Sequence, residues 1–269
     1  MRVLDLFSGI GGFSLGLERA GMRTVAFCEV NEFCRAVLAK HWPGVPCLDD
    51  VRTADFPDAD VICGGFPCQD ISLAGKRAGL SGERSGLYRE MVRAVCLVRP
   101  KFAIMENVAA LLANGMGTVV GDMATNGYDA EWDCVSASDV GAPHGRDRVW
   151  VAFADANKFE RPQRSGEAAR WWQWSTGQVE AACNADSAWE LQPPRLLGDI
   201  RRRVDHAACS RARWQRDWQA EFEAFRGMDD GLPDGLDRSE AAAAVKSLGN
   251  TVVPEITEII GHAVMACKP

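Results

Sequence analysis

The feature that most constrains the fold of this 269-residue chain is an alternation of two apolar patterns along its first 153 residues. Short apolar runs typical of buried β-strands cover residues 3–7, 24–30, 59–63, 101–106 and 148–154. Between them, apolar residues recur every three or four positions, as they do in amphipathic helices. Repeated strand–helix alternation predicts an α/β fold with a mostly parallel sheet and helices on both faces.

Three of the intervening stretches predict helices that each have one apolar face. The faces consist of Phe13, Leu17 and Ala20; of Phe33, Val37 and His41; and of Tyr88, Met91, Val92 and Val95. Pro100 is expected to end the third helix, because proline cannot continue a helical hydrogen-bond ladder.

The alternation breaks after Ala154 and an ordered pattern returns only near the C-terminus. Residues 155–245 are rich in tryptophan, arginine, glutamine and proline and have little periodicity. The sequence "PEITEIIGHAVMA" (254–266) then predicts a helix, with Pro254 suited to its first turn. We therefore expect one α/β domain formed by residues 1–154 and 246–269, interrupted by a smaller domain at residues 155–245.

Composition narrows the class of protein. The chain is 47% hydrophobic and 25% charged, and it contains neither a run of 18 apolar residues nor a signal-peptide pattern, so we expect a cytoplasmic protein that does not span a membrane. Its ten cysteines are then expected to be reduced. Cys28, Cys63 and Cys96 fit core positions of strands and a helix. No cysteine or histidine cluster has zinc spacing, and no metal is expected.

Charge by itself does not favour a nucleic-acid partner, because the formal net charge is −7. The arginines are nevertheless clustered, with Arg201, Arg202 and Arg203 adjacent in the middle segment. Such a cluster can contact phosphates, or it can be a solvated helix face. The sequence leaves both interpretations open at this point.

The sequence "DLFSGIGGFSLGL" (5–17) predicts a strand, a glycine turn and a helix start, which together can hold a ligand close to the backbone. Ser14 stands where the dinucleotide-binding fingerprint requires its third glycine, so this is not the dehydrogenase pattern. Glu29 ends the next strand, where a carboxylate can bind a ribose, and Asp50 follows the third region. These residues indicate an adenosine-containing cofactor; the alternative is a structural turn with two surface acids.

A cysteine in an unusual position follows the strand at residues 59–63. In "GGFPCQDIS" (64–72), Cys68 lies in a loop beside a rigid proline at the carboxyl end of a buried strand. Glu106, in "MENV", ends a later strand and is expected at the same sheet edge, where ligands of open α/β sheets bind. A thiol and a carboxylate there suit nucleophilic attack on an electron-poor ring with proton donation to it. A capping or surface role for Glu106 is the alternative.

Two arginines precede the last predicted strand in "HGRDRVW" (144–150). Arg146 and Arg148 are two residues apart, so in an extended segment both side chains lie on one side. Two guanidinium groups can hold a phosphate, a carboxylate or a polar base edge. An ordinary exposed strand edge would have the same pattern.

Taken together and in this order, the glycine turn, Glu29, Asp50, "GFPCQ", "ENV", the arginine pair and "LGNTVVP" (248–254) resemble the DNA (cytosine-5) methyltransferase family of bacterial or phage type. The resemblance covers residues 1–153 and 245–269. It implies a Rossmann-like, S-adenosylmethionine-dependent methyltransferase sheet and a small target-recognition domain at residues 155–245.

The resemblance also implies the chemistry. Cys68 would attack carbon 6 of a flipped-out cytosine in a specific double-stranded DNA sequence, and Glu106 would contact ring nitrogen 3. Carbon 5 would then take a methyl group from S-adenosylmethionine, after which the carbon-5 proton and the cysteine are lost. Arg146 and Arg148 complete the implied catalytic group, with Arg148 as a positive neighbour of Cys68.

Binding residues follow from the same resemblance. The implied cofactor set is Phe7, Gly9, Gly11, Glu29, Val30, Asp50, Val51, Pro67, Leu87, Asn250 and Val252, with the helix after Asn250 packed beside the glycine turn. The implied DNA contacts are Gln69, Ser72 and Arg84 in a loop that closes over DNA, and Arg201, Arg202 and Arg203. A monomer is expected, with double-stranded DNA and, in a restriction–modification system, a restriction endonuclease as partners.

Three features depart from the family pattern, and two other functions stay open. His144 stands where the family usually has glutamine, Val30 where an aromatic residue often follows the ribose glutamate, and the recognition segment is short.

A tRNA cytosine-5 methyltransferase would share the chemistry, although "FPCQ" with Phe66 favours DNA over the "PPCQ" of that branch. A non-catalytic DNA-binding relative is the other alternative, although it would most simply lack Cys68, Glu106 or an arginine.

Overall fold

The computed structural model describes residues 1–67, 86–113, 115–142, 144–158, 247 and 249–267. The predictions for Cys68, Gln69, Ser72, Arg84 and the Arg201–Arg203 cluster, and for nearly all of the segment 155–245, concern residues outside these ranges.

Seven strands and five helices follow one another in the described residues, with short 3₁₀ turns at Ala109–Leu112 and Ala137–Val140. They are β1 (Arg2–Leu6), α1 (Gly12–Arg19), β2 (Arg23–Cys28), α2 (Glu32–His41), β3 (Cys47–Leu48), β4 (Val61–Gly64), α3 (Gly86–Val98), β5 (Phe102–Val108), α4 (Met116–Thr125), β6 (Tyr128–Ser136), β7 (Asp147–Asp155) and α5 (Pro254–Ala266). All five predicted strands are confirmed. β3, β6 and α4 were not predicted.

The strands form one sheet in the order β3-β2-β1-β4-β5-β7-β6. β1 to β5 are parallel to one another, whereas β7 is antiparallel to both β5 and β6. The expected mostly parallel sheet is therefore confirmed. The chain order reverses between β1 and β4, and in open α/β sheets ligands bind outside the carboxyl ends of the strands at such a switch point.

Helices cover both faces of the sheet, as predicted. On one face α3 and α4 bury Tyr88, Met91 and Val119 among the strand residues. On the other face α1 and α5 bury Leu17 and Ile260 in a second core cluster. Each apolar side chain fully removed from water in these layers stabilises the fold by roughly 1.5–3 kcal/mol.

Two expectations about burial are wrong. In α2 the buried residues are Cys34 and Leu38, not the predicted face, whose His41 is exposed. Cys96, expected in the core, is exposed on α3 and donates to the Asn126 side chain. Cys28 and Cys63 are buried as expected.

Glycines let α1 and α5 approach closely. A Cβ atom on Gly16 would collide with the Thr257 hydroxyl and the Pro254 carbonyl, and one on Gly261 would lie 2.7 Å from the Ala20 Cβ. The side chain of Thr257 donates to the Pro254 carbonyl (2.8 Å), which fixes the first turn of α5. The C-terminal helix is thus held directly behind the glycine turn.

We expect Gly16→Ala to destabilise the protein by about 1–3 kcal/mol, because the added methyl group overpacks this contact. The matched control is Gly121→Ala in α4, where an added Cβ meets nothing within 4 Å. That control should stabilise by roughly 0.5–1 kcal/mol through helix propensity. Urea denaturation of both variants measures the effect, and equal stabilities would contradict the close approach.

None of the helices in the described ranges combines the length and apolar character that a membrane span requires.

Candidate active site

One cavity of about 440 Å³ lies at the carboxyl ends of the strands, beside the switch point between β1 and β4. The predicted site residues among its lining are Phe7, Gly9, Glu29, Val30, Asp50, Val51, Pro67, Leu87, Glu106, Arg146, Arg148, Asn250 and Val252. Residues from distant parts of the chain thus share one cavity, and Pro67 places the segment that leads to Cys68 at its wall.

The glycine turn after β1 holds a carboxylate in the cavity. Phe7, Gly9 and Gly11 all have left-handed backbone angles, with φ of 54°, 55° and 91°. The Gly9 amide donates to Glu29 Oε2 (2.8 Å) and the Asn31 amide donates to Glu29 Oε1 (2.8 Å). Both carboxylate oxygens are therefore oriented by the backbone, although each keeps a further lone pair for a ligand.

Gly11 supports this turn from behind and does not line the cavity. A Cβ atom on Gly11 would lie 2.6 Å from the Trp42 ring. Trp42 is itself fixed, because its indole donates to Glu18 Oε2 (2.8 Å) and its ring packs against Phe27. Trp42 was not predicted as a site residue, and its role depends on a contact that spacing along the chain does not reveal.

A buried carboxyl group lies under the same turn. Asp5 Oδ2 accepts hydrogen bonds from the Ser14 hydroxyl (2.7 Å) and the Ser14 amide (3.3 Å) at the start of α1. Burial raises the pKa of Asp5 to about 7 despite the hydrogen bonds from Ser14. The Asp5–Ser14 contact ties β1 to α1 across the turn.

Because the pKa of Asp5 rises from 3.8 to about 7 on folding, the folded protein binds this proton more tightly than the unfolded chain does. The cost of burying the charge is absent below the unfolded pKa, grows as the pH rises, and is complete above the folded pKa. It corresponds to roughly 4 kcal/mol. The stability of the fold therefore decreases at this position as the pH rises from about 4 to about 7.

We expect Asp5→Asn to gain stability relative to the unmodified protein by a few kcal/mol between about pH 5 and about pH 8, since an amide carries no charge to bury. Asp60→Asn is the control: burial opposes ionisation of Asp60, but hydrogen bonds from the Arg2 amide and Lys101 lower its pKa overall. The stability difference for that variant should stay flat in this range. Parallel urea-denaturation profiles for Asp5→Asn and the parent would contradict the assignment.

Glu106 and Arg148 form an ion pair at the end of β5. Arg148 Nε lies 2.8 Å from Glu106 Oε1, and Glu106 is only 8% exposed. Burial raises the pKa of Glu106, while Arg148 and Arg146 oppose the rise. A Cβ atom on Gly65 would lie 2.8 Å from Glu106 Oε2, so glycine permits the loop after β4 to approach this carboxyl group.

Asn107 links the end of β5 to the loop that precedes Cys68. Its Nδ2 donates to the Phe66 carbonyl (3.1 Å), and its Oδ1 accepts from the Val108 amide (2.9 Å). The Phe66 ring packs against Tyr88 of α3, with centroids 5.1 Å apart. The sequence motifs predict no role for Asn107, although its position next to Glu106 is a signal for one.

The other residues predicted from the sequence differ in their exposure and in their hydrogen bonds at the cavity. Val30 is 73% exposed, so an aliphatic side chain, not the aromatic ring usual in the family, faces solvent next to Glu29. The Asp50 side chain accepts from the Arg52 amide (2.9 Å), which orients it at the cavity wall. Arg146 donates to backbone carbonyls of residues 249–251. His144 is exposed and is not among the lining residues.

Comparison with known proteins gives consistent matches. The family model "C-5 cytosine-specific DNA methylase" matches residues 1–173. Type II methyltransferase M2.BsuMI of Bacillus subtilis (strain 168) is 37% identical over 172 residues, which are 61% of this chain and 43% of that protein. Type II methyltransferase M.NlaX of Neisseria lactamica is 32% identical over 221 residues, which are 78% of this chain and 69% of that protein.

The first of these relatives is much longer than the matched region, so the chain spans less than half of its length. Among solved structures, the S. pombe Dnmt2 methyltransferase superposes with a TM-score of 0.60 at 15% identity, covering 98% of each chain. At that identity the likeness concerns the fold alone. It agrees with a Rossmann-like methyltransferase sheet.

Proposed function

Since the chain belongs to the family of C-5 cytosine-specific DNA methylases, we propose that it transfers a methyl group from S-adenosylmethionine to carbon 5 of a cytosine in a specific double-stranded DNA sequence. One observation carries the proposal: the Glu29 carboxylate and the Glu106–Arg148 pair line the same cavity. A methyl donor bound at Glu29 and a base bound at Glu106 would meet there.

The cavity fits S-adenosylmethionine in size and chemistry. Its volume of about 440 Å³ lies within the usual range for small-ligand sites. Glu29 can accept hydrogen bonds from ribose hydroxyl groups, and Asp50 can accept one from the adenine amino group. Phe7 and Leu87 supply apolar lining, and the carboxylates favour a ligand that carries a positive sulfonium group.

Cys68 is the proposed nucleophile, and it directly follows the cavity-lining Pro67. A free thiol has a pKa of about 8.5, so only a few per cent is thiolate at neutral pH. A positive neighbour would increase that fraction, and Arg148 is the proposed one. The thiolate forms a bond to carbon 6 of the cytosine, and the electrons of the 5,6 double bond make carbon 5 nucleophilic.

Glu106 assists this attack by its contact with ring nitrogen 3. Burial raises the pKa of Glu106, so its carboxyl group holds a proton more readily than an exposed glutamate and can share it with the ring. The ion pair with Arg148 fixes the direction of the carboxyl group. Carbon 5 would then take the methyl group of S-adenosylmethionine as the carbon–sulfur bond breaks and S-adenosylhomocysteine leaves. The carbon-5 proton would pass to solvent, and the Cys68 thiolate would leave carbon 6 as the 5,6 double bond re-forms.

The target would be selected by residues 155–245, with residues 1–154 and 246–269 as the catalytic domain. Extruding a base from the duplex costs a few kcal/mol, which contacts with DNA must offset. The proposed contacts are Gln69, Ser72 and Arg84, which follow Cys68 in the sequence, and the Arg201–Arg203 cluster in the proposed recognition domain.

Neutralising Arg201, Arg202 and Arg203 together with glutamine should weaken DNA binding and flatten its salt dependence. The slope of log K against log salt should fall by roughly one for each phosphate group that the variant no longer binds. Affinity for S-adenosylmethionine should be unchanged. The matched control replaces Arg2, Arg19 and Arg23 of the catalytic domain with glutamine, which removes the same charge. Arg2 and Arg23 begin their strands at the edge of the sheet away from the cavity. An unchanged slope in the first variant would remove the cluster from the DNA interface.

Tritium transfer from labelled S-adenosylmethionine tests the function directly. We expect label in duplex DNA and none in tRNA. Label in tRNA alone would establish the tRNA methyltransferase alternative, for which the shared cysteine chemistry is the supporting feature. Binding to DNA without label in either substrate would indicate the non-catalytic relative.

M2.BsuMI and M.NlaX are named type II methyltransferases, which supports a further proposal about the biological setting. A restriction endonuclease with the same target sequence would be the partner enzyme. We propose that the methyltransferase acts as a monomer. Because its substrate is DNA, the proposed location is the cytoplasm.

A further inference from the structure

The guanidinium group of Arg146 caps the backbone of residues 249–251, which follow the proposed recognition domain in the chain. Arg146 Nη1 donates to the carbonyls of Gly249 (2.8 Å) and Thr251 (2.8 Å), and Nη2 donates to the carbonyl of Asn250 (3.3 Å). About a hundred residues separate these partners along the chain. The backbone just before α5 is thereby tied to the residue that precedes β7.

These carbonyls need a donor because a helical turn ends there. The Thr251 amide donates to the Ser247 carbonyl (3.0 Å), whereas the carbonyls that follow lie at the C-terminal end of the turn. Carbonyls at such an end have no partner within the helix and carry partial negative charge. A charged guanidinium therefore satisfies them better than a neutral donor could.

The capped segment is also a wall of the cavity. Asn250, Thr251 and Val252 line it together with Arg146. On its other sides the segment meets α2, where Ser247 Oγ lies 3.5 Å from Cys34 Sγ, and α1, where a Cβ on Gly12 would lie 2.5 Å from Thr251 Oγ1. Among these contacts Arg146 supplies the charge-assisted hydrogen bonds, so its removal should loosen the wall most.

We propose that Arg146 is a positioning residue for the methyl donor: it holds the backbone of residues 249–252 against the cavity and acts through Asn250 and Val252. Arg148, two residues on, faces the Glu106 carboxyl group. Both positive charges act on Glu106, but the hydrogen bonds differ: Arg146 bonds to the backbone on the donor side, and Arg148 bonds to the carboxyl group on the cytosine side. This inference rests on the proposed function, because the donor is the ligand proposed for that wall.

Calorimetric titration of S-adenosylmethionine without DNA tests the inference. Arg146→Ala should raise the Kd at least about tenfold, equivalent to about 1.4 kcal/mol. Arg146→Lys should fall between the parent and the alanine variant, because one ammonium group cannot reach three carbonyls with the geometry of a planar guanidinium. Arg148→Ala is the matched control and should change the Kd less than about twofold, although it should lower the methylation rate.

Amide hydrogen exchange without any ligand provides a second measurement that does not depend on donor binding. Arg146→Lys and Arg146→Ala should lose protection at Thr251 and in the first turn of α5, and Arg148→Ala should keep it. Unchanged exchange together with a donor Kd within twofold of the parent in Arg146→Ala would overturn the inference. If the parent protein binds no S-adenosylmethionine, the proposed function fails, whereas the exchange data still decide whether Arg146 orders the segment.

Discussion

Cys68→Ser is expected to abolish covalent capture of duplex DNA that contains 5-fluorocytosine. In the proposed reaction the bond between the thiolate and carbon 6 breaks only after the proton leaves carbon 5. Fluorine at carbon 5 cannot leave as a proton does, so the parent protein should remain bonded to the DNA. A serine hydroxyl is far less nucleophilic than a thiolate and should form no adduct. Methylation of ordinary cytosine should be lost as well.

The adduct is measured as a denaturation-resistant complex of protein and labelled DNA. Cys96→Ser is the matched control, because Cys96 is an exposed thiol on α3 outside the cavity. That variant should be captured as efficiently as the parent. A stable adduct formed by Cys68→Ser would remove Cys68 as the nucleophile.

The second large effect is expected at Glu106, where Glu106→Gln should lower the turnover number by at least about a hundredfold. Loss of a general acid or base typically costs roughly 10²–10⁴-fold in rate. Glutamine keeps the shape of the side chain, but it cannot share a carboxyl proton with ring nitrogen 3. It also lacks the charge that pairs with Arg148.

Turnover is measured at saturating DNA and S-adenosylmethionine, so that differences in binding do not contribute. Affinity for S-adenosylmethionine should change little, since the Glu29 end of the cavity is untouched. Glu90→Gln is the control: Glu90 pairs with Arg93 on α3 and lies outside the cavity. Parent-like turnover in Glu106→Gln would show that this carboxyl group does not take part in the reaction.

The order of strands and helices was largely predictable because a buried parallel sheet requires apolar runs at regular intervals. β3 has only two residues, too few for a pattern. β6 does show alternation, with Tyr128, Ala130 and Trp132 at every second position, but it is an edge strand with acids between them. Because acidic residues interrupt the apolar positions, β6 contains no continuous apolar run and was not predicted.

The wrong face predicted for α2 has a physical reason. Two apolar stripes share the helical spacing, one through Phe33 and Val37 and one through Cys34 and Leu38. Periodicity cannot choose between them. The choice depends on where the helix ends, because Trp42 packs against Phe27 and bonds to Glu18, which turns the Cys34 stripe inwards.

In the candidate site, the carboxyl ends of parallel strands share one edge, which is why Glu29 and Glu106 line the same cavity. Asn250 and Val252 were expected there only from the family resemblance. The residues that hold them in place were not predictable. Trp42 behind Gly11, Asn107 on the Phe66 carbonyl and Arg146 on three backbone carbonyls all depend on approaches between distant segments. Every residue has a backbone carbonyl group, so a sequence does not show which carbonyl accepts a hydrogen bond from a distant side chain.

The central claim is that this chain methylates carbon 5 of cytosine in DNA. The most direct test incubates the purified protein with duplex DNA and S-adenosylmethionine that carries an isotopically labelled methyl group, digests the DNA, and identifies the labelled nucleoside by mass spectrometry. We predict labelled 5-methyl-2′-deoxycytidine with the parent protein and none with Cys68→Ser. Label on the exocyclic amino group of cytosine or adenine, or no labelled nucleoside although the protein binds S-adenosylmethionine and DNA, would contradict it.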